Sequence, residues 1–131
     1  MRIKTHLPDQ IENIGKTIVD CSYRVHKTLG PGFLESIYET CLVYELKKTG
    51  LKTFRQVKIP FQYDGQILDL SLCLDVLIHD EIIIELKAVQ NMIPLYKAQL
   101  ISYLKLTNKR LGYLINFNVP VFKEGIQRII V

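Results

Sequence analysis

Apolar residues at Ile11, Ile14, Ile18, Cys21, Val25 and Leu29 recur every three or four positions. That is the period of an amphipathic helix, and it predicts one over residues 9–29. Gly30-Pro31-Gly32 ends it. A second helix is predicted from about Phe33 to Thr49, with Leu34, Ile37, Tyr38, Cys41, Leu42 and Leu46 on one side and Gly50 as its stop. The period then shortens to two. Val57, Ile59, Phe61 and Tyr63 alternate with polar residues, as in a half-buried strand, and Asp64-Gly65 signals a hairpin turn. Leu68, Leu70, Leu72, Leu74 and Val76 resume the alternation, against Asp69, Ser71, Cys73 and Asp75. A turn near His79-Asp80 leads to an apolar run over residues 82–88. Pro94 opens a third helix, to about Thr107, whose expected core face holds Leu95, Ala98, Ile101 and Leu104 or nearby residues. "RLGYLINF" reads as a buried strand and "GIQRIIV" as an edge strand.

The predicted order is therefore helix, helix, three-strand meander, helix, strand, strand. Without a repeat or an internal linker, this predicts one α+β sandwich over residues 1–131, helices packed on a mixed sheet, with residues 1–8 as a flexible N-terminal segment. Composition agrees: 48% of the 131 residues are apolar and 23% charged, a globular balance. The net charge of +4 permits an anionic partner without demanding one. No apolar stretch approaches the roughly 20 residues that span a bilayer, and the N-terminus lacks the apolar core of a signal peptide. Cys21, Cys41 and Cys73 form no CxxC pair, which points to reduced thiols in a cytoplasmic protein. His6, His26 and His79 lack metal-ligand spacing and are expected at the surface or in caps.

The chemistry emerges from register. "HDEIIIELKAVQ" is a core strand that ends in an acid and a base two residues apart, Glu85 and Lys87. Alternation puts both on one face. Burying Leu74, Val76 and Ile78 together with Ile82, Ile84 and Leu86 pairs 78 with 82, 76 with 84 and 74 with 86. The same register sets Asp75 opposite Glu85 and Cys73 opposite Lys87, and requires an odd connection, most simply His79-Asp80-Glu81. Like charges directly opposed are destabilising. Such a pair needs a cation, either Lys87 or a divalent metal. A hard cation such as Mg²⁺ takes one or two carboxylates, can activate a water and can stabilise charge on a phosphoryl oxygen.

Asp75 with Glu85-Leu86-Lys87 after an apolar strand resembles the PD-(D/E)XK nuclease superfamily. "GFLESIY" carries Gly32, Glu35 and Tyr38 in the pattern GxxExxY, and "AQLISYL" carries Gln99 and Tyr103 in the QxxxY pattern of RecB-like nucleases. With "LGYLINF", the chain from about residue 10 onward resembles the GxxExxY protein family within that superfamily. The resemblance implies a restriction-endonuclease-like core. It also implies roles. Asp75 and Glu85 would hold Mg²⁺ or Mn²⁺, with the Leu86 backbone carbonyl as a third ligand. Glu35 would complete the acidic site directly or through a water. Lys87 would orient or activate the water. Gln99, Tyr103 and Tyr38 would brace the site or touch nucleic acid.

Two positions depart from the family pattern: Cys73 stands where arginine is expected, and Tyr96 where histidine is. The expected function is metal-dependent hydrolysis of phosphodiester bonds, in DNA ahead of RNA. The alternative is a catalytically weak or inactive nuclease-fold module that binds nucleic acid or a protein partner. Dimerisation through an exposed sheet edge or the first helix is a further expectation.

Overall fold

The computed structural model describes residues 7–131. Its elements follow the predicted order: α1 (Asp9–Leu29), α2 (Glu35–Lys48), β1 (Thr53–Tyr63), β2 (Gln66–Ile78), β3 (Ile82–Lys87), α3 (Pro94–Leu106), β4 (Leu111–Asn116) and β5 (Ile126–Ile130). A single 3₁₀ turn, Phe122–Glu124, precedes β5. The sheet runs β1-β2-β3-β4-β5. All neighbours are antiparallel except β3 and β4, which α3 joins as a parallel crossover.

The sheet is the middle layer. On one face α1 and α2 bury Ile18, Val25, Leu42 and Leu46 against Val76, Ile78, Ile82, Ile84 and Leu86. On the other, α3 buries Leu100 and Leu104 against Leu77, Ile83 and Leu114. β3 is thus covered on both sides. That explains three consecutive isoleucines where a half-exposed strand would alternate.

The β1–β2 turn is Asp64 (φ 54°) and Gly65 (φ 72°), both left-handed as a two-residue type I′ hairpin requires. The β2–β3 connection is the expected three residues; the Glu81 amide closes it on the Ile78 carbonyl at 2.9 Å. Pairing of Val76 with Ile84 and Ile78 with Ile82 is as the apolar pattern predicts.

Four expectations are corrected. The β2–β3 ladder ends at Val76 and Ile84, so Leu74 does not face Leu86, and Cys73 pairs with Lys58 of β1 rather than with Lys87. Leu74 packs with the α3 layer although Val76 packs with the α1–α2 layer, because β2 turns over between them. The α3 core face centres on Leu100 and Leu104, while Leu95 is 65% exposed and Ala98 is exposed. Gly112 of β4 makes the room: a Cβ there would lie 3.1 Å from Leu100. Finally, His26 is buried, its Nε2 2.6 Å from the Val119 carbonyl oxygen. Residues 1–6 of the expected flexible segment lie outside the described residues; Leu7 is buried in the core.

Beyond Phe61 the β1–β2 hairpin is no longer half-buried. Tyr63, Ile67 and Leu70 are exposed there, because neither helical layer extends over it.

Candidate active site

Glu85 sits on β3 between Ile84 and Leu86, which both point to the α1–α2 layer; its own side chain therefore turns to the other face. Asp75 reaches it from β2 at the point where the ladder stops. The Asp75 carboxylate (Oδ2) accepts the Leu86 amide hydrogen at 2.9 Å, and the Asp75 amide donates to Glu85 Oε1 at 3.4 Å. Side chains thus take the hydrogen-bonding places that the next rung of the ladder would have used. They also bring two acids into contact.

Glu85 is buried. Desolvation, then its hydrogen bond to Asp75 and the Asp75 charge, push its carboxyl up to about 9; Lys87 opposes this weakly. Among the described residues no Lys, Arg or His side chain is ion-paired with Asp75, Glu85 or Glu35. The acids are therefore short of positive charge.

Glu35 is the first residue of α2. The positive end of the helix favours an acid at that place. Partial desolvation, then Asp75, then Glu39 raise its carboxyl, while Lys87 lowers it. Glu35 thus feels the charges of Asp75 and Lys87 from the helical layer opposite Glu85. Lys87 ends β3, and its Nζ stands 4.5 Å from the centre of the Tyr96 ring on α3. Tyr103 adjoins the pair as well: burial raises its hydroxyl first, then the charges of Glu85 and Asp75. Gln99 Nε2 donates to that hydroxyl at 2.9 Å, so the two residues act as one brace on α3. Asp75 and Glu85 are therefore in contact, with Glu35, Lys87 and Tyr103 near enough to act on one or both of them electrostatically.

Tyr38 does not join them. It is fully buried, stacked on Phe117 at 4.8 Å and 8°. Its hydroxyl donates to the Gly30 carbonyl at 2.6 Å and accepts the Phe33 amide hydrogen at 3.1 Å. It holds the loop that leads into Glu35 and presents no face to a base.

Sequence reasoning missed three contributors. Tyr96, a departure from the family pattern, carries Lys87. Asn116 on β4 clamps the chain beyond Lys87: its Oδ1 accepts from the Val89 amide at 3.1 Å and its Nδ2 donates to the Val89 carbonyl at 3.0 Å. Glu39, buried one turn after Glu35, accepts Arg55 Nη2 at 2.7 Å and Gln56 Nε2 at 2.7 Å. Its spacing of four from Glu35 was the available signal. Cys73 supplies no cation; its thiol donates to Gln56 Oε1 at 3.2 Å.

A mixed sheet between two helical layers, with an acid on β2 meeting the acid of an acid-x-lysine on the next strand, is the arrangement that the resemblance implied. The family profile of the PD-(D/E)XK nuclease superfamily matches residues 12–129. The chain belongs to that superfamily. No curated protein and no solved structure matches it significantly. As a member it carries the fold of nucleases that generally use divalent metals such as Mg²⁺. Among the described residues no helix is long and apolar enough to cross a membrane.

The residues present fit such an ion in kind. Asp75, Glu85 and Glu35 offer only oxygen, the donor of hard divalent cations, and the buried pair lacks a counter-charge. Among the described residues no three Asp, Glu, His or Cys side chains are grouped so as to hold a metal ion.

Proposed function

We propose that the protein is a Mg²⁺- or Mn²⁺-dependent nuclease that hydrolyses phosphodiester bonds in DNA, ahead of RNA. The contact between the Asp75 and Glu85 carboxyl groups at the end of a buried strand carries this reading. Asp75, Glu85 and the Leu86 carbonyl would hold the ion, with Glu35 joining directly or through a water. When bound, the ion supplies a water of lowered pKa and stabilises charge on a phosphoryl oxygen.

The chain's own residues do the rest. Lys87, oriented by the Tyr96 ring, adds positive charge beside the phosphoryl group and orients the attacking water. Tyr103, braced by Gln99, borders the pair and limits its contact with bulk water. The GxxExxY resemblance of Gly32, Glu35 and Tyr38 supports the same assignment. The free thiols Cys21, Cys41 and Cys73 suit a reducing, cytoplasmic setting. Dimerisation through an exposed sheet edge or the first helix would widen the footprint on a duplex.

Thermal melting with and without Mn²⁺ tests the ion site. Wild type should gain stability and Glu85→Ala should lose the gain; equal shifts in both would refute it. Incubating plasmid and single-stranded DNA with Mg²⁺ then tests turnover, with Lys87→Ala as control. One observation favours a second reading, a module that binds without cleaving. Cys73 occupies the place of the expected arginine, and its thiol is tied to Gln56 rather than offering charge to a phosphate. Metal binding without cleavage would select that reading.

A further inference from the structure

Gln56 lies in the middle of β1 with φ 52°, a left-handed backbone in a strand. For a residue with a side chain this backbone is strained and persists only where surrounding structure enforces it. The β1–β2 register is the same on both sides: Arg55 pairs with Val76 and Val57 with Leu74. The intervening rung, Gln56 with Asp75, is missing from the ladder. Across that gap the ribbon turns over, since Val76 packs with the α1–α2 layer while Leu74 and Val57 pack with the α3 layer. Asp75 is the pivot. Its amide bonds to Glu85 Oε1 instead of to β1, and its carboxylate bonds to the Leu86 amide.

Glycine would adopt this backbone without strain. A glycine, however, could not make the bonds that Gln56 makes. Its Nε2 donates to the buried Glu39 at 2.7 Å, and its Oε1 accepts the Cys73 thiol at 3.2 Å. Arg55 reaches the same Glu39 through Nη2 at 2.7 Å and Nε at 3.2 Å. Two successive β1 residues are thereby fastened to α2, one turn from Glu35, while Gln56 also holds the β2 residue two before Asp75.

We propose that Gln56 is a positioning residue for the acidic pair: its left-handed backbone turns the β1–β2 ribbon over at Asp75, and its amide group locks that turn to Glu39 and Cys73. The inference rests on reading Asp75 and Glu85 as the ion-holding pair. It adds the device that aims Asp75 out of the ladder and at its partner. Gln56 touches neither substrate nor ion.

The test compares Gln56→Gly and Gln56→Ala with wild type, first without metal. Gly relieves the backbone and Ala does not, so Gln56→Gly should melt higher than Gln56→Ala; both lose the side-chain lock. Hydrogen exchange of the Leu86 amide, which reports the bond to Asp75, should quicken about tenfold in both variants relative to the other β3 amides. Mn²⁺ affinity by calorimetry should fall about tenfold, the usual cost of losing a residue that orients a ligand. Leu86 exchange unchanged in both folded variants overturns the proposal. Faster Leu86 exchange in a protein whose wild type binds no Mn²⁺ upholds the positioning role and refutes the ion site instead.

Discussion

The Leu86 amide donates to the Asp75 carboxylate at 2.9 Å, across the point where β2 and β3 stop pairing. One acid thus has two duties: it satisfies a buried amide, and it sets a negative charge against Glu85. The duties separate in Asp75→Asn. The amide oxygen of asparagine still accepts from Leu86, while the charge that disfavours Glu85 ionisation is gone. Metal-free Asp75→Asn should stay folded, with the Glu85 carboxyl shifted down because the Asp75 charge that helps to raise it is gone. It should also lose the Mn²⁺-dependent rise in melting temperature. A variant that unfolds, or one that keeps the rise, contradicts this division of roles.

Glu85 gives the metal-free protein a pH dependence of unusual sign for an acid. Its carboxyl lies near 9 when folded, against 4.5 as reference. Between those values the folded state holds a proton that the unfolded state has lost. Stability therefore falls as pH rises through that window, and flattens above about 9. A cation seated on the pair would displace the proton, so Mg²⁺ affinity should climb with pH across the same window. Glu85→Gln should flatten the stability slope and abolish the affinity. Melting curves and calorimetry from pH 6 to 9, in about half-unit steps, measure both effects. A wild-type stability that rises with pH there would contradict the assignment.

Local pattern revealed the elements, and the apolar match of Val76 with Ile84 and Ile78 with Ile82 revealed the register. A slip by one residue would have turned the Glu85 side chain into the apolar layer where Ile84 and Leu86 pack with Leu42 and Val76. The pivot at Asp75 was hidden, because leucines alternate through it from Leu68 to Val76 without a break. A left-handed glutamine has no signature in hydrophobicity. The α3 face was misread for a related reason: "LYKAQLISYLKL" has apolar residues around most of the helix, and only packing on Gly112 selects Leu100 and Leu104. Spacing made Glu35 and Tyr38 conspicuous together but could not show that one is coupled to Asp75 and the other stacked on Phe117.

Tyr96 should matter through Lys87. The ring holds the ammonium at 4.5 Å, a contact worth about 0.5–2 kcal/mol depending on exposure. Tyr96→Phe keeps the ring face and should retain activity. Tyr96→Leu frees the ammonium, so kcat for a DNA substrate should fall about tenfold while the Mn²⁺-induced melting shift stays as in wild type. Equal loss in the Phe and Leu variants would shift the role from the ring to the hydroxyl.

Tyr38→Phe separates scaffold from substrate contact. The hydroxyl bridges the Gly30 carbonyl and the Phe33 amide within a partly buried loop, and its removal leaves both without that partner. Stability should drop by about 1–3 kcal/mol, the usual cost of unsatisfied buried groups. The ring stays stacked on Phe117, so α2 keeps its place and Glu35 its position. Affinity for single-stranded or duplex DNA, measured at a temperature where the variant is folded, should match wild type. Urea unfolding and fluorescence anisotropy measure the two quantities independently. Loss of DNA affinity without loss of stability would mean that Tyr38 leaves the core to meet its substrate, which its complete burial argues against.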